Sequence, residues 1–142
     1  MILLDADSPG RNNSFESPYV HWLAINLDGG LPNNQFLTRS GTDLIDWTSP
    51  DPAKGSGWHR YLFLCFQQKS WLSVVHKENL LERFRPQREN TTARARFDIR
   101  AFLADVPGTL VGAQMFQTEN QVDDKNIKDG CRFKDGTWHC GY

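Results

Sequence analysis

Two carboxylates, two imidazoles, a guanidinium and a phenol fall within three short stretches of this chain. They are Asp5-Ala6-Asp7-Ser8-Pro9, His21-Trp22-Leu23-Ala24-Ile25-Asn26 and Gly55-Ser56-Gly57-Trp58-His59-Arg60-Tyr61. Each stretch adjoins or lies within an apolar, strand-like run. Such side chains gathered at the rim of a β-sheet form a small polar pocket able to hold an anionic head group. The same Asp, Asp, His, His set has the donor types of a zinc site, but no HxH or HxxxH spacing supports one. Ser8, Ser56 and the two histidines invite a hydrolase reading, yet no GxSxG nucleophile elbow is present. No catalytic residue is therefore assigned, and no metal or cofactor.

The elements that must position these residues are short. Ile2 to Leu4 read as the end of a buried strand, cut by the polar loop Asp5 to Pro18. Val20 to Leu27 read as a second strand, ended by Asp28-Gly29-Gly30. Leu31 to Gly57 is too rich in proline and glycine for a long element. Arg60 to Gln67 is a strand dense in aromatics, and Ser73 to Val75 reads as another, short one. Cys65, inside an apolar strand, reads as a buried packing residue.

From Thr92 the periodicity becomes helical: Phe97, Ala101 and Ala104, with Phe102 and Val106 beside them, predict a helix over about 93–104. Thr91 or Thr92 could cap it, and Pro107-Gly108 stops it. Leu110 to Thr118 then reads as a strand. Several strands with one or two short helices give a mainly-β, antiparallel β-sandwich. The chain divides into a domain over 1–119 and a polar linker with a hairpin tail over 120–142.

In that tail, Cys131 to Cys140 is symmetric about Asp135-Gly136, a dipeptide suited to a type I′ turn. The register pairs Lys134 with Thr137, Phe133 with Trp138 and Cys131 with Cys140, with the aromatic and cysteine pairs on one face. The opposed cysteines are near enough for a disulfide; in a reducing cytosol they would stay free.

Four motifs in order resemble the phosphatidylethanolamine-binding protein (PEBP) family, over about Leu3 to Glu119. Asp5 to Arg11 is similar to its DPDAPSR loop, with Ala6 for a proline and Ser8 for an alanine. His21-Trp22-Leu23 resembles its HWL strand. Pro50 to Tyr61 resembles its PxPxxGxGxHRY segment, and Val111 to Gln117 its PVAGNFFQ strand, with Gly and Ala exchanged. The resemblance implies that Asp5, His21 and His59, with Tyr61 close by, bind a phosphate-type anion or phospholipid head group. Asp5 would orient an imidazole and favour its cationic form. Asp7, Pro9, Pro52, Gly57, Arg60 and Phe116 belong to the pocket rim or scaffold, with Arg60 an ion-pair partner of Asp7.

The implied function is a non-enzymatic binder, with a protein kinase or protease as partner. Asp51 adds negative charge to the bordering loop and should weaken anion binding. Phe116 stands where many relatives carry tyrosine, so a hydroxyl donor is lost. The family's C-terminal amphipathic helix is missing. Its acidic loop also follows a long stretch of sheet strands, whereas four residues precede it here, so the resemblance implies a fragment lacking N-terminal strands.

Two other readings accompany this one. Pro52 to Gly57 and Tyr19 to Leu23 also resemble the PEBP-like part of a mitochondrial large-subunit ribosomal protein, in which the acidic loop is degraded. Retention of Asp5 and Asp7 favours the binder. A secreted antigen-like relative is the third reading.

Composition bounds the rest. The 142 residues carry a net charge of −1, with 39% hydrophobic and 23% charged, which fits one domain. General nucleic-acid binding needs a clustered basic excess that this charge excludes. The seven Lys and Arg over 77–100 read as a solvated face. The longest apolar run, Tyr61 to Phe66, is too short to span a bilayer. The start shows no signal peptide, so a cytoplasmic location is expected.

Overall fold

The computed structural model describes residues 1–28 and 41–120 in full, with the backbone of 127–128, 131–134 and 137–140. Five strands form one antiparallel sheet: β1 (Ile2–Asp5), β2 (Tyr19–Ile25), β3 (Thr42–Ile45), β4 (His59–Gln68) and β5 (Gly108–Thr118). Their order is β3-β2-β1-β4-β5, so the four-residue β1 is the central strand. Its Ile2-Leu3-Leu4 run has no polar alternation because both faces of the sheet are covered there.

Period-two alternation sends the sheet's side chains to two cores. Ile2, Leu4, Val20, Leu23 and Ile25 pack on one face against Leu80, Phe84, Phe97, Phe102 and Val106. The latter come from a helical layer: α1 (Val74–Arg83), α2 (Arg85–Glu89), a 3₁₀ helix (Thr91–Arg94), α3 (Ile99–Asp105) and the segments joining them. Leu3, Trp22, Ala24 and Tyr61 occupy the opposite face, with Phe63 and Phe116 packed alongside. The mainly-β, antiparallel class with few helices is the one observed.

Several elements differ from expectation. Residues 73–75 do not form a strand: Ser73 caps α1, its hydroxyl accepting from the His76 amide at 3.3 Å. Val74 and Val75 misled because they are β-branched yet exposed in the first turn, while Leu80 and Phe84 make the buried contacts farther on. The helix expected over 93–104 is split into the 3₁₀ helix and α3. Between them the Arg96 and Phe97 amides bond the carbonyls of Glu16 and Pro18, at 2.7 and 2.8 Å, so these donors serve the acidic loop instead of a helix.

Within the loop-rich region, β3 forms because Leu44 and Ile45 bury completely. Cys65 is half-buried and free, since the residue paired with it on β5 is Gly112, which offers no side chain to cover it.

In the tail, β7 (Cys131–Lys134) and β8 (Thr137–Cys140) pair in the expected register. β6 (Ile127–Lys128) adds an unanticipated third strand, inside the stretch read as linker. The turn at 135–136 and the Cys131 and Cys140 side chains lie outside the described residues. Among the described residues, no helix is long and apolar enough to cross a membrane.

Candidate anion-binding site

Register assembles the site before any side chain is considered. Asp5, the last residue of β1, pairs with Tyr19 on β2 and with Tyr61 on β4, and Tyr61 pairs with Phe116 on β5. A row Tyr19–Asp5–Tyr61–Phe116 therefore crosses four strands at one end of the sheet. Tyr61 is fully buried and stacks on Phe116 at 5.1 Å between centroids and 15° between planes.

His21 reaches this face through a defect in the ladder. Leu3 pairs with Trp22 but Leu4 with Val20, so His21 is the extra residue of a β-bulge. Strict alternation would send it to the helix-covered face. The bulge re-aims it, and its ring meets Tyr61 edge-on at 5.3 Å and Tyr19 at 5.0 Å. His21 Nδ1 donates to the Thr48 carbonyl at 3.0 Å, which fixes the ring and leaves Nε2 as its other nitrogen.

His59 lies two residues before Tyr61 on β4 and stacks with it at 6.4 Å and 20°. Its Nδ1 is 2.7 Å from Asp5 Oδ2 and its Nε2 is 2.9 Å from Ser56 Oγ. The connectivity is that of a Ser-His-Asp relay. The Ser56 hydroxyl, however, donates to the Ala53 carbonyl at 2.6 Å. Its single hydrogen is committed there, so Nε2 faces a lone pair and both ring nitrogens point at acceptors. That arrangement holds a histidine and does not activate a serine.

A second carboxylate anchors the acidic loop. Asp7 is buried and accepts from the Arg60 amide, Nε and Nη2 at 2.8, 2.9 and 2.8 Å. Asp5 Oδ1 accepts the Asp7 amide at 2.8 Å, so one carboxylate serves His59 and the turn together. Pro9 follows a cis peptide bond and is half-buried, and Pro52 is buried. Gly57 adopts φ +83°, which glycine takes without steric cost. A Cβ on Gly10 would stand 3.4 Å from the Ser56 carbonyl, so the acidic loop packs directly on the Ser56 turn.

The charges are set by burial and by these partners. Arg60 holds the Asp7 carboxyl below its ordinary range, outweighing burial. Burial pushes His21 down, against the Thr48 hydrogen bond and the Asp5 charge, and Arg94 lowers it further. Burial, followed by the Asp5 charge, holds the Tyr61 phenol far above its usual range. Among the described residues, no group of three His, Cys, Asp or Glu could hold a metal ion.

The structure thus gathers Asp5, His21, His59 and Tyr61, with Phe116 against them and Asp7 and Arg60 behind the loop. Sequence reasoning missed the Thr48 carbonyl, the Tyr19 ring and the Ser56 contact. Only Ser56 left a signal, three residues from His59 in a glycine turn. Thr48 bonds His21 across 27 residues.

Comparison with known proteins bears on the family and the fold. Residues 1–124 match a family model described as phosphatidylethanolamine-binding protein. The protein named "Putative odorant-binding protein A5" from Drosophila melanogaster is 27% identical over 119 residues, 83% of this chain and 50% of the relative. A 26 kDa secreted antigen from Toxocara canis is 32% identical over 81 residues, 57% of this chain and 29% of the relative. The chain therefore spans half the length of the first curated relative and less of the second. Among solved structures, carboxypeptidase Y inhibitor in complex with its cognate proteinase shares the fold, with a TM-score of 0.58 and 23% identity. That likeness covers 84% of this chain and 58% of the inhibitor chain.

Proposed function

Because the chain belongs to the phosphatidylethanolamine-binding protein family, we propose that it is a non-enzymatic binding protein whose Asp5, His21, His59 and Tyr61 receive a phosphate-type anion. The observation that carries this reading is the meeting of His21 and His59 on the Tyr61 ring, with Asp5 bonded to His59. His59 is held in place at both ring nitrogens, by Asp5 and Ser56. His21, fixed through Nδ1, keeps Nε2 for the ligand and takes up a proton as the anion arrives. The committed Ser56 hydroxyl supports binding over catalysis. A phospholipid head group and a soluble phosphate share this chemistry. A protease or kinase partner would be regulated through the same ligand-dependent surface.

Isothermal titration with phosphoethanolamine and with inorganic phosphate tests the proposal. Wild-type protein binds at least one of them, and Asp5→Asn and His59→Gln each weaken binding about tenfold, the scale of one lost charge-assisted hydrogen bond. A wild-type protein that takes neither ligand contradicts the reading.

A further inference from the structure

Behind the site lies a buried charge that this reading does not use. Arg94, the last residue of the 3₁₀ helix, is 4% exposed. Buried cations are ordinarily neutralised by a carboxylate, because an unpaired one is costly to desolvate. Among the described residues Arg94 bonds backbone carbonyls alone: Nε to Gln87 at 2.9 Å, and Nη1 to His21 at 3.2 Å and Asp46 at 2.9 Å. Among the described residues no carboxylate forms an ion pair with it. One guanidinium thus joins α2, the His21 bulge and the segment 46–48 that follows β3.

The carbonyls it holds belong to the frame of the His21 ring. The His21 carbonyl also accepts the Thr48 amide at 2.9 Å, while the Thr48 carbonyl accepts His21 Nδ1 at 3.0 Å. His21 and Thr48 are therefore bonded to each other twice, and Arg94 holds the His21 carbonyl that the Thr48 amide shares, so moving the guanidinium would move the ring. We propose that Arg94 is the positioning residue of the anion site, a guanidinium without a carboxylate partner that clamps His21 and supplies a standing positive charge. This deepens the function proposed above and rests on it for the anion itself. An arriving anion would balance the charge that, among the described residues, no carboxylate offsets at Arg94.

Among the described residues, the charged and titratable groups around His21 are Asp5 from β1, Arg94 from the 3₁₀ helix, the rings of Tyr19 and Tyr61, and His59 on the same Tyr61 ring. Of the two ions, Asp5 draws a proton onto the ring and Arg94 repels it. The test is the His21 ring titration, followed by NMR without ligand, in wild type, Arg94→Gln and Arg94→Lys. Removing the charge in Arg94→Gln raises the His21 midpoint by about half a pH unit or more, on the scale of one partly screened charge. Arg94→Lys keeps the charge and leaves the midpoint near wild type. A purely structural role would move both variants together, so equal shifts, or no shift in either, overturn the proposal.

Added inorganic phosphate provides the second arm. Arg94→Gln binds it about tenfold more weakly than wild type at pH 7.5, the effect of one lost charge contact, while Arg94→Lys loses less. Absence of phosphate binding to wild type sinks the anion site, whereas the ligand-free titration still decides the role of Arg94. Should Arg94→Gln fail to fold, the guanidinium resonances of wild-type Arg94 take its place. They move as His21 titrates, and resonances indifferent to that titration overturn the clamp.

Discussion

At the scale of single residues, the account turns on which hydrogens are committed and which are not. The Ser56 hydroxyl spends its hydrogen on Ala53, so a fluorophosphonate probe should leave Ser56 unlabelled; a Ser56 adduct by mass spectrometry would show a working nucleophile. His21 enters the site neutral because burial depresses it, so an anion that needs its proton binds more tightly as pH falls from 7.5 towards 6. Affinity independent of pH over that range would contradict proton uptake at His21. Asp5, His21, His59 and Tyr61 were legible because short motifs hold them. The bulge that turns His21 over was not, since one extra residue in a strand leaves no mark in hydrophobic alternation. Arg94 was misread as part of a solvated face, because the carbonyl it clamps while buried lies 73 residues away.

At the scale of elements, the strands that carry the site could be read because β1, β2 and β4 are strongly apolar. The helical layer could not, because its ends are set by tertiary demands. Ser73 caps α1 after a stretch that reads as β, and the Arg96 and Phe97 amides break a periodic helix to bond the acidic loop. The sheet is stabilised chiefly by the core against that layer. Leu23 is fully buried in it, so Leu23→Ala should cost about 2–5 kcal/mol, read as a lower midpoint in denaturant unfolding. A cost below 1 kcal/mol, on the scale of exposed substitutions, would place Leu23 outside a packed core.

At the scale of the whole molecule, stability and association follow from where charge is absent. β5 ends the described sheet and has no charged residue, while Val111 is 57% exposed and Met115 48% exposed. Such an edge invites pairing between chains, so Val111→Lys should reduce self-association in sedimentation velocity, and an unchanged distribution would clear the edge. The pH profile of stability has two descents. Asp7, depressed in the fold from 3.8, stabilises above that value and loses its contribution as pH falls below it, through the folded value. His21, depressed from 6.5, stabilises above 6.5 and loses its contribution as pH falls from there through its folded value. Asp7→Asn should abolish the more acidic descent in thermal melts and leave the other.

Anion binding falls to the four side chains at the sheet's end. The direct measurement is a histidine-ring NMR titration with inorganic phosphate near pH 6.5. The His21 and His59 resonances should move together and saturate, with smaller shifts in Asp5→Asn, while His76 on α1 stays in place. Rings of His21 and His59 that do not respond, or that move no more than His76, would contradict the account.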